Sequence, residues 1–302
     1  MDGDEERLQV VAAAAREVLV QSRSHVERTI KGLTNRMLAA ESATAYAQDL
    51  DAASNRLHHR AFDERVEYVE TTSNALRSHL RGLEVVMNAD TLYTLPATLI
   101  ARGIAEVAAG SSWMLADVDV DERAARSYAS LFRGLENLIA TSGAQVAERA
   151  TRIREMLIVE LADQQVRVQR REKRGKAQDD VAVVTVGRSH AKTSYQYSQR
   201  VLSEIPAVGA LYSSLSAVAQ GDSTHLSVSW DAPDIYVRRI GVVVHRSVEA
   251  WSRAIHSWVG AEHEPFVDQL HLAELINSMD PEHLAEFRAE GAAFDTNPEG
   301  VG

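Results

Sequence analysis

Apolar residues recur at helical spacing from about residue 4 to residue 87, and no proline interrupts them. The clearest run consists of Leu76, Leu80, Leu83 and Val86. A spacing of three or four residues places apolar side chains on one face of a helix, which then packs against another helix. We therefore expect two or three long helices in residues 1–90, packed as a hairpin, with turns near Gly32–Asn35 and Leu57–Phe62.

The central region, residues 91–171, predicts two further helices. Pro96 suits a first helical turn, because a proline there lacks only an N–H group that would have no intrahelical partner. The apolar pattern runs from Pro96 to about Asp117, where closely spaced aspartates mark a break. We expect one long helix to follow, from about Val120 to Arg170.

Helical periodicity is lost in residues 172–192, which we interpret as a linker or flap between two parts of the chain. Within it, the apolar run Val181–Val186 indicates either a short strand or an apolar flap. This segment is the best candidate for an internal boundary.

Helical patterns resume in residues 193–292 and end before a frayed tail at 293–302. The predicted elements are a helix from an N-cap at Thr193 or Ser194 to about Gln220, a helix at Pro233–Val259, and one or two short helices at 265–290. Taken together, the patterns predict an all-α fold, a multi-helix bundle with a long N-terminal helical hairpin.

The composition indicates a globular chain of 302 residues, 45% of them hydrophobic and none of them cysteine. The lack of cysteine excludes a disulfide scaffold, a thiolate metal site and a cysteine nucleophile. The N-terminus is acidic and no apolar run approaches the roughly 20 residues of a membrane span, so we expect a cytoplasmic protein without membrane contact. Arginine outnumbers lysine by 28 to 4, which suggests a GC-rich genome.

The net charge of −11 at pH 7 disfavours nonspecific attraction to a phosphate backbone. A local basic patch would override this effect, and Arg167–Lys176 is one such run. A basic run after a helix is more often a solvated helix end or a linker, and we favour that interpretation.

The first candidate site is a charged stripe on the helix that begins near Pro96. A step of about 100° per residue brings Arg102, Glu106 and Trp113 to one side of an otherwise apolar helix. An arginine and a glutamate four residues apart form an ion pair, and a buried guanidinium binds an anionic ligand or a neighbouring carboxylate. The alternative is an ordinary surface pair.

The aspartates after this helix have the chemistry of a cation site. An EF-hand loop beginning at Asp117 needs glycine at its sixth position, where this chain has Glu122. Asp119 with Glu122 is better explained as a helix cap and its return partner. Asp117 and Asp121 remain as candidate Mg²⁺ ligands, and we expect no other cofactor.

Two further groups of polar residues complete the candidate ligand-binding set. Arg123, Arg126 and Arg133 cluster on one face of the next helix, either as a solvated basic face or as part of an anion pocket with Arg102. The second group consists of Tyr212, Ser216 and Gln220, spaced four residues apart, and His225 in the loop that follows. A hydrogen-bonded core and a ligand site explain this second group equally well.

The arginine, glutamate, tryptophan and aspartate pattern of Arg102–Arg126, followed by YSSLSAVAQGDSTHL, resembles an uncharacterised family of all-helical actinobacterial proteins. That family usually has His-Gly where this chain has Gln220-Gly221. It is distantly similar to HEPN-type helical domains, many of which are ribonucleases marked by an arginine and a histidine with four to six residues between them. The resemblance implies Arg239 and His245 as candidate catalytic residues, with His245 as general base.

Three functions follow as hypotheses. The first is a HEPN-like interaction or RNA-directed module, with or without catalytic activity. The second is a helical-bundle enzyme that binds a phosphate or diphosphate small molecule with Mg²⁺ in the same anion-binding pocket. The third is a structural homodimer in which the N-terminal hairpin packs against its copy.

Overall fold

The computed structural model describes residues 2–55, 58–89, 94–173, 176–222, 233–263 and 266. Helices dominate this part of the chain, and the predicted all-α multi-helix bundle is confirmed. None of the described helices is both long and apolar enough to cross a membrane. The predicted helices at 265–290 and the tail at 293–302 lie outside the described residues, apart from Phe266.

The N-terminal part contains three helices: α1 (Asp2–Leu38), α2 (Ala45–Ser54) and α3 (His59–Met87). Helix α1 packs against α3, as the predicted hairpin requires. The turn predicted at Gly32–Asn35 is wrong, because the helical hydrogen bonds continue to Leu38. The second predicted turn is close to the observed break between α2 and α3.

The central helices are α4 (Thr94–Leu115), α5 (Val120–Thr141) and α6 (Ala144–Asp163). The side chain of Asp119 caps α5 by accepting a hydrogen bond from the Glu122 amide, as predicted. The single long helix predicted from Val120 to Arg170 is wrong. Ser142 and Gly143 are extended, and they separate α5 from α6.

The segment predicted as a linker or flap is instead an antiparallel sheet, whose strands are β1 (Arg167–Lys173), β2 (Lys176–Val186) and β3 (Ser189–Lys192). Of the two alternatives for Val181–Val186, the strand is the one observed, within β2. Val181, Val184 and Val186 are buried in the core beneath the sheet. The basic run that begins at Arg167 therefore lies on a strand hairpin, and its interpretation as a helix end or linker is wrong.

The predicted helix at 193–220 is divided into α7 (Tyr197–Glu204) and α8 (Gly209–Ala219), with a short 3₁₀ turn at Pro206–Val208. Pro206 cannot donate a helical hydrogen bond, which explains the division. Neither predicted N-cap is used, because Thr193 Oγ1 donates to the carbonyl of Val181 in the sheet at 2.6 Å. The last described helix, α9 (Pro233–Val259), has the predicted bounds.

Two hydrophobic cores organise these elements. One is formed by α1, α3, α4, α7, α8 and α9, and the other by α5, α6 and the sheet. Trp113, near the end of α4, packs against both cores. The boundary between the two cores therefore passes close to Trp113, the last member of the predicted charged stripe.

Candidate functional site

A fully buried ionic cluster joins four helices, with Asp49 at its centre. Asp49 Oδ1 accepts from Arg123 Nε at 2.9 Å, and Asp49 Oδ2 accepts from Arg65 Nη1 and, at 3.0 Å, from Trp258 Nε1. Arg65 Nη2 donates to Ser127 Oγ at 2.9 Å. Asp49, Arg65 and Arg123 are each 3% exposed or less. We call these five residues the ionic cluster.

The ionic cluster holds two guanidinium groups and one carboxylate, so neutral acceptors bind several of the remaining donors, while Arg65 Nε is buried with no hydrogen-bond partner. Arg123 also donates to the carbonyl of Val118 and, at 3.0 Å, to the side chain of Gln48. Both alternatives predicted for Arg123 are wrong: it is neither on a solvated face nor in a pocket with Arg102. Because its guanidinium is sealed and paired, the cluster offers no space for a ligand, and removal of one partner would leave an uncompensated buried charge.

A second group of arginines alternates with aromatic rings. The Cζ atom of Arg200 lies 3.1 Å from the ring centre of Tyr195 and 3.9 Å from that of Trp113. Arg133 Cζ lies 3.6 Å from the Tyr195 ring, and Arg126 Cζ lies 5.3 Å from the Trp113 ring. We call these five residues the arginine–aromatic column. A guanidinium this close to a ring face is attracted by the ring quadrupole.

The arginines of the column differ in their hydrogen-bond partners. Arg126 donates to the carbonyl of Trp113 and to Glu122, and Arg133 Nη1 donates to the carbonyl of Thr193 at 3.4 Å. Arg200 is only 8% exposed, and among the described residues it has no hydrogen-bond acceptor and no ion-pair partner. Burial lowers the pKa of Arg200 from its ordinary value, yet an arginine remains charged at neutral pH.

The column opens into a cleft of about 350 Å³ between α5, α7 and β3. His190 and Lys192 of β3 are exposed at its edge, and both line it together with Arg200. Its lining contains three cationic side chains, Arg126, Lys192 and Arg200, against one carboxylate, that of Glu122, which pairs with Arg126. The cleft is therefore a positively charged site suited to an anion.

Sequence analysis named Trp113, Arg126 and Arg133 but missed Arg200 and Tyr195. The sequence TSYQYSQR at 193–200 does place two aromatic residues and an arginine close together. That signal was hidden because this segment was interpreted as the start of a regular helix.

The predicted stripe on α4 forms a separate group. Arg102 Nε donates to Glu106 Oε1 at 2.8 Å, and Tyr212 Oη donates to the same oxygen at 2.6 Å. Ser216 hydrogen-bonds to Tyr212, while Gln220 only forms the C-cap of α8. The Arg102 and Glu106 side chains are 28% and 21% exposed, so the pair is formed but is not dry. His225 lies outside the described residues.

The acidic residues after α4 do not converge on one point. Asp117 is exposed, and Asp121 faces His58, with 3.8 Å between its Oδ1 and the His58 Nε2. Within the described ranges, no three histidine, aspartate or glutamate side chains are arranged to hold a metal ion. The predicted pairing of Asp117 with Asp121 around Mg²⁺ has no geometric support in this part of the chain.

The predicted catalytic pair on α9 is also separated. Arg239 Nη1 donates to Ser214 Oγ of α8 at 2.6 Å. His245 is buried, and its ring packs edge-on against Phe266 at 5.5 Å. Burial lowers the pKa of His245 to about 4. Six residues along a helix turn the side chain by about 240°, so the two side chains face different neighbours.

A second cleft, of about 840 Å³, lies between α6, the start of α5 and the sheet. Its lining includes His58 and Gln165, the two non-glycine residues with positive φ in the described ranges, at 59° and 61°. Gly187, with φ of 56°, also lines it, and a Cβ atom there would collide with Asp121. Such backbone conformations cost free energy and are enriched at functional sites.

Comparison of the chain with protein-family models, with curated proteins and with solved structures finds no match.

Proposed function

We propose that this chain is a helical module that binds single-stranded RNA at the arginine–aromatic column. Arg200 is the observation that carries the proposal. Its guanidinium lies between the rings of Trp113 and Tyr195, lines an open cleft, and meets no protein acceptor in the described part of the chain. No Arg200 nitrogen is both buried and without a partner, so its donors are accessible from the cleft, where the oxygen atoms of a ligand replace water.

The geometry favours a phosphate as that partner. The rings of Trp113 and Tyr195 lie close to Arg200 Cζ, and the guanidinium lines the cleft, so its N–H donors are left for a ligand there. Phosphate oxygens match the forked donors of arginine and form charge-assisted hydrogen bonds with them. Lys192 at the cleft edge adds a point charge.

The charge of the sheet favours a polymer over a single small anion. Residues 167–192 contain eight basic and three acidic residues, although the whole chain has a net charge of −11. Arg167, Arg188 and Lys192 are exposed and form no ion pair with any described residue. Basic side chains next to aromatic rings track the backbone of single-stranded nucleic acids. RNA as the polymer agrees with the proposed HEPN-like resemblance.

The proposal includes no catalytic step, because Arg239 and His245 do not share a site. The cleft of about 350 Å³ falls within the size range of small-molecule pockets, which keeps a phosphorylated small molecule as the second candidate. The two candidates differ in the length of ligand that each requires.

The test is fluorescence anisotropy with a labelled single-stranded RNA of 12 nucleotides. We expect Lys192→Ala to weaken binding and to reduce the slope of log K against log salt by about one. Arg200→Gln should weaken binding at least about tenfold, since it removes a charged phosphate ligand. Lys31→Ala is the matched control, because Lys31 is an exposed lysine of α1, far from β3 in sequence.

Circular dichroism and thermal melts establish that each variant is folded. Equal RNA affinity of the wild type, the Lys192 variant and the Arg200 variant would refute the RNA proposal. Tight binding of adenosine monophosphate, with no gain for the 12-nucleotide RNA, would replace it with the small-molecule candidate. The same titration with single-stranded DNA tests whether the site distinguishes the two polymers.

A further inference from the structure

Helix α6 has an apolar outer face with no partner among the described residues. Ile153, Met156 and Val159 are 41%, 71% and 68% exposed, respectively. The opposite face of α6 is buried against α5 and the sheet through Ala150, Leu157 and Leu161. Three large apolar side chains within two turns of one helix face are typical of an interaction surface.

The charges around this face are arranged symmetrically about Met156. Positions three, four and seven residues to either side of Met156 all lie within about 60° of it around the helix. Ile153 and Val159 lie three residues before and after Met156. Arg152 and Glu160 lie four residues before and after it, and Arg149 and Asp163 lie seven residues before and after it. Among these positions, the basic residues precede Met156 and the acidic residues follow it.

We infer that α6 is the contact surface of a homodimer, in which a second copy of α6 packs antiparallel across a two-fold axis at Met156. In that arrangement Arg149 faces Asp163 of the second copy, Arg152 faces its Glu160, and Ile153 faces its Val159. A two-fold interface must be complementary to itself, and this face meets that requirement in apolar content and in charge.

The ion pairs within one chain do not oppose this arrangement. Arg149 and Asp163 are exposed and have no ion-pair partner in the described part of the chain. Arg152 pairs with Glu148 and Glu160 pairs with Arg60, each at 2.7 Å. All four of these side chains are at least 39% exposed, and such pairs contribute little to stability. They are free to exchange partners across an interface.

Contact through one 20-residue helix, about 30 Å long, is a small interface. We therefore expect dimerisation that depends on protein concentration. This surface differs from the N-terminal hairpin, the contact hypothesised from sequence alone. It is also independent of the RNA proposal, because none of its residues belongs to the arginine–aromatic column.

The chain has no cysteine, so a single introduced cysteine reports a single contact. Met156→Cys should form a covalent dimer rapidly on mild oxidation, because the two-fold axis brings position 156 of both copies together. Val85→Cys is the control; Val85 is 72% exposed on α3, as open as Met156. Equal crosslinking of the two variants, or none at position 156, would overturn the inference.

Charge reversal gives a second, independent test by light scattering across protein concentrations. Arg149→Glu and Asp163→Arg should each weaken the dimer about tenfold or more, because each places like charges opposite one another twice. The double variant should restore the wild-type dissociation constant. Both changes agree with the helix dipole, so α6 stays folded. A monomeric wild type at every concentration, or a double variant as weak as the singles, would refute the interface.

Discussion

The ionic cluster and the arginine–aromatic column both contain arginines of α5, but the guanidinium groups of the two sites have different kinds of partner. In the ionic cluster, Arg123 and Arg65 share one carboxylate and bind further oxygen acceptors. In the column, Arg200 is held by ring faces and meets no oxygen of the described residues. A sealed, paired charge makes the fold sensitive to the loss of either partner, whereas a positioned charge that lacks an acceptor is available to a ligand.

The largest effect should come from removing the only carboxylate of the ionic cluster. Asp49→Ala leaves Arg65 and Arg123 buried without their counter-ion, so we expect a loss of about 3–5 kcal/mol in the free energy of unfolding. Urea denaturation measures the loss. Asp51→Ala, an exposed position on the same helix, is the control and should change stability little. An Asp49 variant as stable as the Asp51 variant would show that the cluster is not stabilising.

Replacing the central arginine of the column should change stability little but abolish RNA binding. Arg200→Met removes a buried charge without an acceptor and keeps an apolar chain between the two rings. We expect the free energy of unfolding to stay within about 1 kcal/mol of the wild type, since the lost cation–π attraction and the removed desolvation cost oppose each other. RNA binding should still be lost. A loss of stability as large as that of Asp49→Ala would erase the contrast between the two arginine groups.

A smaller effect should be a pH dependence of stability and RNA binding that is caused by Glu64. This residue hydrogen-bonds to Ser130 at the edge of the column. Burial raises its pKa from 4.5 to about 7, so its contribution to stability is complete below pH 4.5 and is lost as pH rises through 7. The charge that appears above pH 7 also lowers the positive potential of the column. We expect RNA to bind about two- to threefold more weakly at pH 8 than at pH 6. Glu64→Gln should lose this pH dependence, and an unchanged dependence would exclude Glu64 as its source.

The smallest effect concerns the pair on α4 that sequence reasoning ranked first. Because the Arg102 and Glu106 side chains are 28% and 21% exposed, Arg102→Ala should cost less than about 1 kcal/mol. The penalty of a dry ion pair does not apply here. A thermal melt compared with that of Asp49→Ala measures the difference, and a similar drop in both would mean that the α4 pair is effectively buried.

The helices that could be predicted from sequence are those whose ends and apolar faces are marked by nearby residues. The bounds of α9 follow from Pro233 and a sustained apolar face, and the cap of α5 follows from Asp119 and Glu122. Of the sheet, only Val181–Val186 was predicted, as one of two alternatives, because the long, polar strand β1 shows little alternation and is held by pairing with β2. Pairing between distant segments leaves only a weak local signal.

The candidate site was predicted only in part for a similar reason. Trp113 stood out as part of a polar stripe on an apolar helix, and Arg126 as one of three arginines on one face of the next helix. Asp49 and Arg65 occupy apolar positions of α2 and α3, where Arg65 lies between Ala61 and Val69 in the buried stripe. A charge at such a position is a recognisable signal of a buried ion pair. Its partners are not recognisable, since Asp49 meets a tryptophan 209 positions away.

The large separation in sequence between the members of the ionic cluster affects the rate at which the protein unfolds. The ionic cluster closes only when α2, α3, α5 and α9 are all in place, so its contacts form late in folding, after the loops that join them have closed. Interactions absent from the folding transition state act mainly on the unfolding rate. We therefore expect Asp49 to set how long a folded molecule persists, while leaving the speed of folding almost unchanged.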